Sequence, residues 1–373
     1  MSGFFVRSSR PYFSESDVES ILDEIGLVLV SGQLRNGENL KLFQRGVADY
    51  VGVRHAVALD SDLSALETAL SYYQVKGKEV IVCTNSFVSV PNSVLYAGGK
   101  IVFADINKNT LAMDVESFKQ KISAKTCGVI VTHIAGFPNE ALEEIKEVCD
   151  ERGFFLIEDA THALGASIGG RKVGTFGDAS VFASTPTKII TTGEGGVLVT
   201  NNDELAEYAK LFSYYGSGLG KTNFERLGRH MLLPEISAVV GINQLCHVEE
   251  FLEMRNSVAK AYDEAFSKIA GLSIVSCKKG NRCSYYKYPL TLGKKIDKNR
   301  FVKALKELGV ETGTVFYPPC HMQPFYKEQN SHGLPLLVAE DVLAHTITLP
   351  MHCALDVSDV SAVIENVQSV MKT

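Results

Sequence analysis

No stretch of this chain reaches the roughly 18 uninterrupted apolar residues that a membrane-spanning helix needs. The opening residues Met1 to Arg7 lack the apolar core and small-residue cleavage site of a signal peptide. Basic charge is also scarce: 37 Lys and Arg stand against 43 Asp and Glu, a formal net charge of −6. That balance offers no positive field to nucleic acid or to an anionic membrane surface, so any grip on a phosphate has to be local. The 8 cysteines are scattered singly from Cys83 to Cys353, with no C-x-x-C and no Cys/His cluster at zinc spacing. They are expected to be mostly small apolar core residues in a reducing, cytoplasmic compartment. No metal site, internal repeat or low-complexity segment is expected.

At 373 residues the chain exceeds one typical core, and two domains are expected, 1–250 and 251–373. A capped helix opens it: Ser14 or Ser16 stands before acidic residues, with Val18, Ile21, Leu22 and Ile25 at helical spacing. From residue 55 to 160 apolar strands alternate with amphipathic helices, the pattern of an α/β fold with a mostly parallel sheet covered on both faces. Further helices are expected over Ser237–Glu253, Arg255–Ala270, Asp297–Leu308 and Ser358–Met371, with a strand at Tyr285–Thr291; these make the C-terminal part a smaller α+β unit.

Two strand ends carry the chemistry. The run Phe154–Ile157 stops abruptly at Glu158-Asp159, and Ala179–Phe182 leads into small hydroxyl residues, Pro186 and then Lys188. In open α/β sheets ligands sit at that carboxyl end. Pyridoxal phosphate needs a lysine to hold it covalently and a carboxylate to keep its ring nitrogen protonated. Any buried salt bridge also brings an Asp to a Lys, so the discrimination lies in the surrounding residues. A third element supports the reading. Strand His55–Leu59 enters a helix at Asp60-Ser61-Asp62-Leu63, and the unpaired amides of a helix N-terminus receive phosphate readily.

The surrounding residues resemble the DegT/DnrJ/StrS family of sugar aminotransferases, and the likeness runs over nearly the whole chain. Glu158 to Ala166 is similar to E-D-A-A-H-A-L-G-A, Gly174 to Asp178 to G-x-x-G-D, and Val181 to Gly196 to F-S-F-x-P-x-K-x-x-x-x-G-E-G-G. The resemblance implies a type I PLP-transferase fold, with a large α/β domain around a seven-stranded, mostly parallel sheet. It makes Lys188 the catalytic residue, Asp159 the partner of the ring nitrogen, Phe87 the aromatic on the ring face and His162 a neighbour of the ring oxygen. The phosphate would be held by the amides of Asp62 and Leu63, by the hydroxyl of Ser184 or Thr185, and by His230 from the partner subunit of a homodimer. Arg229, Tyr317 and His321 would face the substrate, while His133 and His352 are expected to be structural. The implied reaction moves an amino group from an amino acid, L-glutamate above all, through pyridoxamine phosphate to a keto sugar. The commonest family substrate is nucleotide-linked, and a free keto sugar acid such as a keto-octulosonate is the alternative. Amino-sugar, glycan or lipopolysaccharide synthesis is the implied setting. A PLP-dependent sugar dehydratase and a non-catalytic sensor are the rival readings. Lys188 argues against the first; the altered phosphate loop is the only motivation for the second, and no helix-turn-helix or basic patch supports it.

Departures from the family pattern cluster at the phosphate. Asp62 and Leu63 stand in place of Gly and Thr, Ala183 in place of Ser, His230 in place of Asn, and Leu232 in place of Arg.

Overall fold

The computed structural model describes residues 5–217, 223–224, 226–329 and 335–372. Seven short strands, nearly all apolar, form the centre: β1 (His55–Leu59), β2 (Glu79–Cys83), β3 (Lys100–Ala104), β4 (Thr126–Thr132), β5 (Phe155–Asp159), and beyond a small hairpin of β6 (Ser167–Ile168) and β7 (Arg171–Lys172), β8 (Ala179–Ala183) and β9 (Gly196–Thr200). They lie in the order β1-β9-β8-β5-β4-β2-β3. Only β9 runs against its neighbours β1 and β8; the other pairings are parallel. Strands buried on both faces by crossover helices have no polar face to show, which is why β5 and β8 are buried along their whole length.

The helices are α1 (Glu15–Ser31), α2 (Glu38–Val51), α3 (Asp62–Tyr72), α4 (Ser89–Tyr96), α5 (Val115–Gln120), α6 (Leu142–Arg152) and α7 (Asp203–Phe212), then α8 (Glu235–Cys246), α9 (Val248–Phe266), α10 (Lys298–Glu307), α11 (Pro324–Gln329), α12 (Leu337–His345) and α13 (Val357–Val370). Ser14 is the residue that caps α1, in a reciprocal pair with Asp17. Helix α3 packs on β9 and against α4 and α7, so its first turn is fixed at the edge of the sheet.

The C-terminal part carries a second, antiparallel sheet in the order β10 (Leu272–Ile274), β11 (Tyr288–Leu292) and β12 (Thr346–Leu349). Near the start of the chain, Val6 bridges to Val310 and fastens the N-terminal segment to this part.

Two expectations need correction. The helix expected to run unbroken from Ser237 to Glu253 is divided at His247, between α8 and α9, and α9 runs on through Arg255. The His247 ring is held at 3.0 Å from Asp17 and 3.2 Å from Glu250, so the break is fastened from α1. The cysteines are not all single: Cys277 and Cys283 form a disulfide in the irregular segment before β11, while Cys83, Cys149, Cys320 and Cys353 are buried thiols. Among the described residues no helix is long and apolar enough to cross a membrane.

Candidate active site

Because β1, β2, β4, β5 and β8 are parallel in direction, they all end on one edge of the sheet, and β9 begins there at Gly196. That edge gathers Asp159 from the end of β5, the Lys188 loop that follows β8, and the first turn of α3 that follows β1.

Glu158 and Asp159 point to opposite faces, as successive strand residues must. Glu158 is fully buried and accepts the amides of Gly174 (2.8 Å), Phe176 (2.7 Å) and Gly177 (2.8 Å), with His133 Nε2 at 3.0 Å. Burial would raise its pKa, but His133 and these amides outweigh it and hold the carboxyl below its usual value. His133 is therefore structural, with its Nδ1 accepting the Asn139 amide at 3.0 Å.

Asp159 is equally buried and has fewer partners, the Thr132 hydroxyl at 2.9 Å and the Thr161 amide at 3.2 Å. Burial pushes its pKa up, the charge of Asp62 adds to that, and Lys188 opposes it. No ion-pair contact reaches Asp159 among the described residues. A buried carboxylate of this kind suits a cationic N–H delivered by a ligand.

Lys188 lies in a loop braced by hydroxyls. Ser184 Oγ meets Thr192 Oγ1 at 2.7 Å, and Thr192 Oγ1 also donates to the Glu194 carbonyl at 2.7 Å. The Lys188 ammonium is 4.7 Å from the Tyr286 ring centroid. Burial lowers its pKa to about 8, although Asp62 and Asp159 both pull in the other direction. Lys188, Asp159 and Asp62 thus share one electrostatic environment.

His162 Nδ1 accepts the Ala135 amide at 3.2 Å, so the neutral ring carries its proton on Nε2. Burial, with Lys188 and Lys287 nearby, holds its pKa well below the ordinary value. Its ring stacks on Tyr286 at 4.2 Å and on Phe316 at 5.6 Å. Phe87 remains 52% exposed on the loop beyond β2, with its ring 5.7 Å from Phe316. An acid without an ion pair, an amine that can lose its proton and an exposed aromatic ring on one sheet edge fit a protonated heterocyclic aldehyde such as pyridoxal phosphate.

At the α3 end, Ser61 caps the helix by accepting the Ser64 amide at 3.1 Å. The amides of Asp62 and Leu63 follow, and Gly196 lies so close that a Cβ there would be 2.3 Å from the Ser61 carbonyl and 2.4 Å from the Asp62 nitrogen. The Asp62 carboxylate accepts from Ser89 Oγ at 2.8 Å. Thr185 is partly exposed near the lysine. Ser184 is buried and its hydroxyl is engaged by Thr192, which corrects the expectation that it is free for a phosphate. His230 is exposed, bridged to Tyr214 and stacked on the Tyr215 ring at 5.0 Å, with Leu232 bridged to the end of β1.

Two expected substrate residues are otherwise occupied. Arg229 donates to Glu67 on α3 through Nε (3.1 Å) and through Nη2 (2.8 Å), a tie within the fold. His321 has Nδ1 at 2.6 Å from the Thr84 hydroxyl and Nε2 at 3.2 Å from Glu340, so both nitrogens fasten the loop before α11. Tyr317 is 44% exposed, with Lys298 Nζ 4.8 Å from its ring centre. The sequence reading missed Tyr286, Phe316 and Lys287. Lys287 donates to the Thr314 carbonyl at 2.7 Å and lies 5.4 Å from the Phe316 ring; burial lowers its pKa, and Lys188 adds to the effect.

Comparison with known proteins agrees with this geometry. The profile of the DegT/DnrJ/EryC1/StrS aminotransferase family matches residues 15–368. The chain is 31% identical over 374 residues to the UDP-4-amino-4,6-dideoxy-N-acetyl-beta-L-altrosamine transaminase of Helicobacter pylori, covering 98% of this chain and 96% of that one. It is also 31% identical over 336 residues to the GDP-perosamine synthase of Caulobacter vibrioides, covering 88% and 89%. The solved structure of Helicobacter pylori PseC, an aminotransferase involved in the biosynthesis of pseudoaminic acid, superposes with a TM-score of 0.92 at 28% identity over 99% of both chains. The chain therefore belongs to the DegT/DnrJ/EryC1/StrS family of pyridoxal-phosphate-dependent sugar aminotransferases, with the type I fold.

Proposed function

We propose that this enzyme transfers the amino group of L-glutamate to a nucleotide-linked keto sugar, giving 2-oxoglutarate and an amino sugar for glycan or lipopolysaccharide synthesis. The observation that carries the reading is that Lys188 and the buried Asp159, which has no ion-pair contact among the described residues, come to the same sheet edge, with burial lowering the amine's pKa to about 8. The relatives named for UDP- and GDP-linked sugars support the nucleotide-linked class.

When bound, pyridoxal phosphate supplies the electron sink, and the protein supplies position and proton transfer. Asp159 would hold the proton on the ring nitrogen. Lys188 would hold the cofactor aldehyde covalently and, when its amine is free, would take the proton from the donor α-carbon. In the reverse half it delivers a proton to the sugar carbon that receives nitrogen. Phe87 would cover one ring face, and neutral His162 would offer its Nε2 proton to the ring oxygen. The amides of Asp62 and Leu63, with the Thr185 hydroxyl, would receive the phosphate. His230, exposed and bridged to Tyr214, would reach the phosphate from the partner subunit of a homodimer. Tyr317, Phe316 and Lys287 would face the substrate. Domains of 1–250 and 251–373 go with this arrangement.

Purified protein should show an absorbance band near the visible edge and should convert one member of a panel of nucleotide-linked amino sugars, with 2-oxoglutarate, into the keto sugar and glutamate. Lys188→Ala should remove both, with activity falling by at least about 10³-fold. A protein that stays colourless with added cofactor would overturn the reading, and conversion of free amino sugar acids alone would move the substrate to that class.

A further inference from the structure

The residue that opens α3, whose first amides are proposed above to receive the cofactor phosphate, carries a carboxylate. Asp62 is the first residue of α3, immediately after the Ser61 cap, at the helix end whose unpaired amides attract anions. Its side chain is partly buried, with Oδ2 accepting from Ser89 Oγ at 2.8 Å, and its charge is felt by both Lys188 and Asp159. Of the hydroxyls nearby three are already committed: Ser61 Oγ donates to Ser64 at 2.9 Å, Ser89 to Asp62 itself, and Ser184 is engaged by Thr192, which leaves Thr185. Leu63 and Ala183 have no hydroxyl to offer. The α3 amides thus lie next to a formal negative charge and have little side-chain help.

We propose that Asp62 is an anion-repelling residue that loosens the grip on the cofactor phosphate. The dephosphorylated cofactor then loses far less affinity here than a helix N-terminus alone would impose. The proposal rests on the aminotransferase reading of the same site. Asp62 has a second effect, which the test must separate. Its charge favours the protonated form of Lys188, so removing it strengthens capture of any aldehyde, whether or not a phosphate is attached. Only the repulsion discriminates between pyridoxal phosphate and pyridoxal.

The experiment titrates cofactor-free full-length protein with pyridoxal phosphate and with pyridoxal, reading the near-visible absorbance band of the lysine adduct. Wild type, Asp62→Asn and Ser89→Ala are compared. Asparagine keeps an acceptor for Ser89 and keeps the helix start. The expected result is that the ratio of the pyridoxal Kd to the pyridoxal phosphate Kd rises by about tenfold or more in Asp62→Asn, the equivalent of one charge interaction of ordinary size. Inorganic phosphate should also compete better in that variant. In Ser89→Ala the ratio should not rise, because the charge remains. An unchanged or lower ratio in Asp62→Asn would overturn the proposal while leaving the aminotransferase reading in place. Failure of both aldehydes to bind any of the three proteins would overturn both. If Asp62→Asn does not fold, Asp62→Ser removes the same charge and is read in the same way.

Discussion

Glu158 and Asp159 are neighbours on one strand, equally buried, yet their environments drive their pKa values in opposite directions. Glu158 accepts three amides and faces a histidine, so the protein itself stabilises its charge. Asp159 has a hydroxyl and an amide, and its charge remains partly uncompensated. Burial is common to both and cannot tell them apart. The difference lies in whether the fold completes the hydrogen bonding or leaves that to a ligand. The architecture completes the bonding of one acid and leaves the other short of partners.

The comparison breaks most visibly at Asp159. Asp159→Asn should lower turnover by about 10²–10³-fold, measured as the rate of the glutamate half-reaction, because nothing else at that edge would keep the ring nitrogen protonated. Glu158→Gln should do the reverse: a loss of about 3 kcal/mol in urea unfolding, with turnover per folded molecule close to wild type. Their pH behaviour should differ in sign. Glu158 has a depressed folded pKa, so its contribution is present above the ordinary carboxylate range and disappears as pH falls through the folded value. Asp159 has a raised folded pKa, so its ionisation costs stability above that value, and Asp159→Asn should stabilise the cofactor-free protein by about 1 kcal/mol at pH 7. A stabilised Glu158→Gln would erase the distinction. The smallest effect concerns Lys188. In cofactor-free protein its modification by an amine reagent, followed by mass spectrometry, should rise through a midpoint near pH 8, and Asp159→Asn should move that midpoint down, since Asp159 is one of the charges that raise it.

The strand ends bearing Asp159 and Lys188 were legible because both features are local: an apolar run that stops, and a short sequence of glycines and hydroxyls around a lysine. The α/β layering was legible for the same reason. What the sequence left open depends on partners far along the chain. Arg229 looks like a free cation until α3 brings Glu67 against it, a residue 162 positions away. His321 has the residue type of a substrate ligand, but Thr84 and Glu340 claim its nitrogens. Tyr286 and Lys287 enter the site from the irregular segment just before β11, and no periodicity announces that placement. The division at His247 has no glycine or proline to mark it, and helical spacing continues across it.

Gly196 joins two halves of the site in a way that outlasts any one ligand. With no room for even a methyl group between the returning strand and the opening turn of α3, the lysine loop and the amide cup are registered on each other like two parts of one hinge plate. A side chain at residue 196 would have to push the start of β9 and the first turn of α3 apart, and both would feel that displacement.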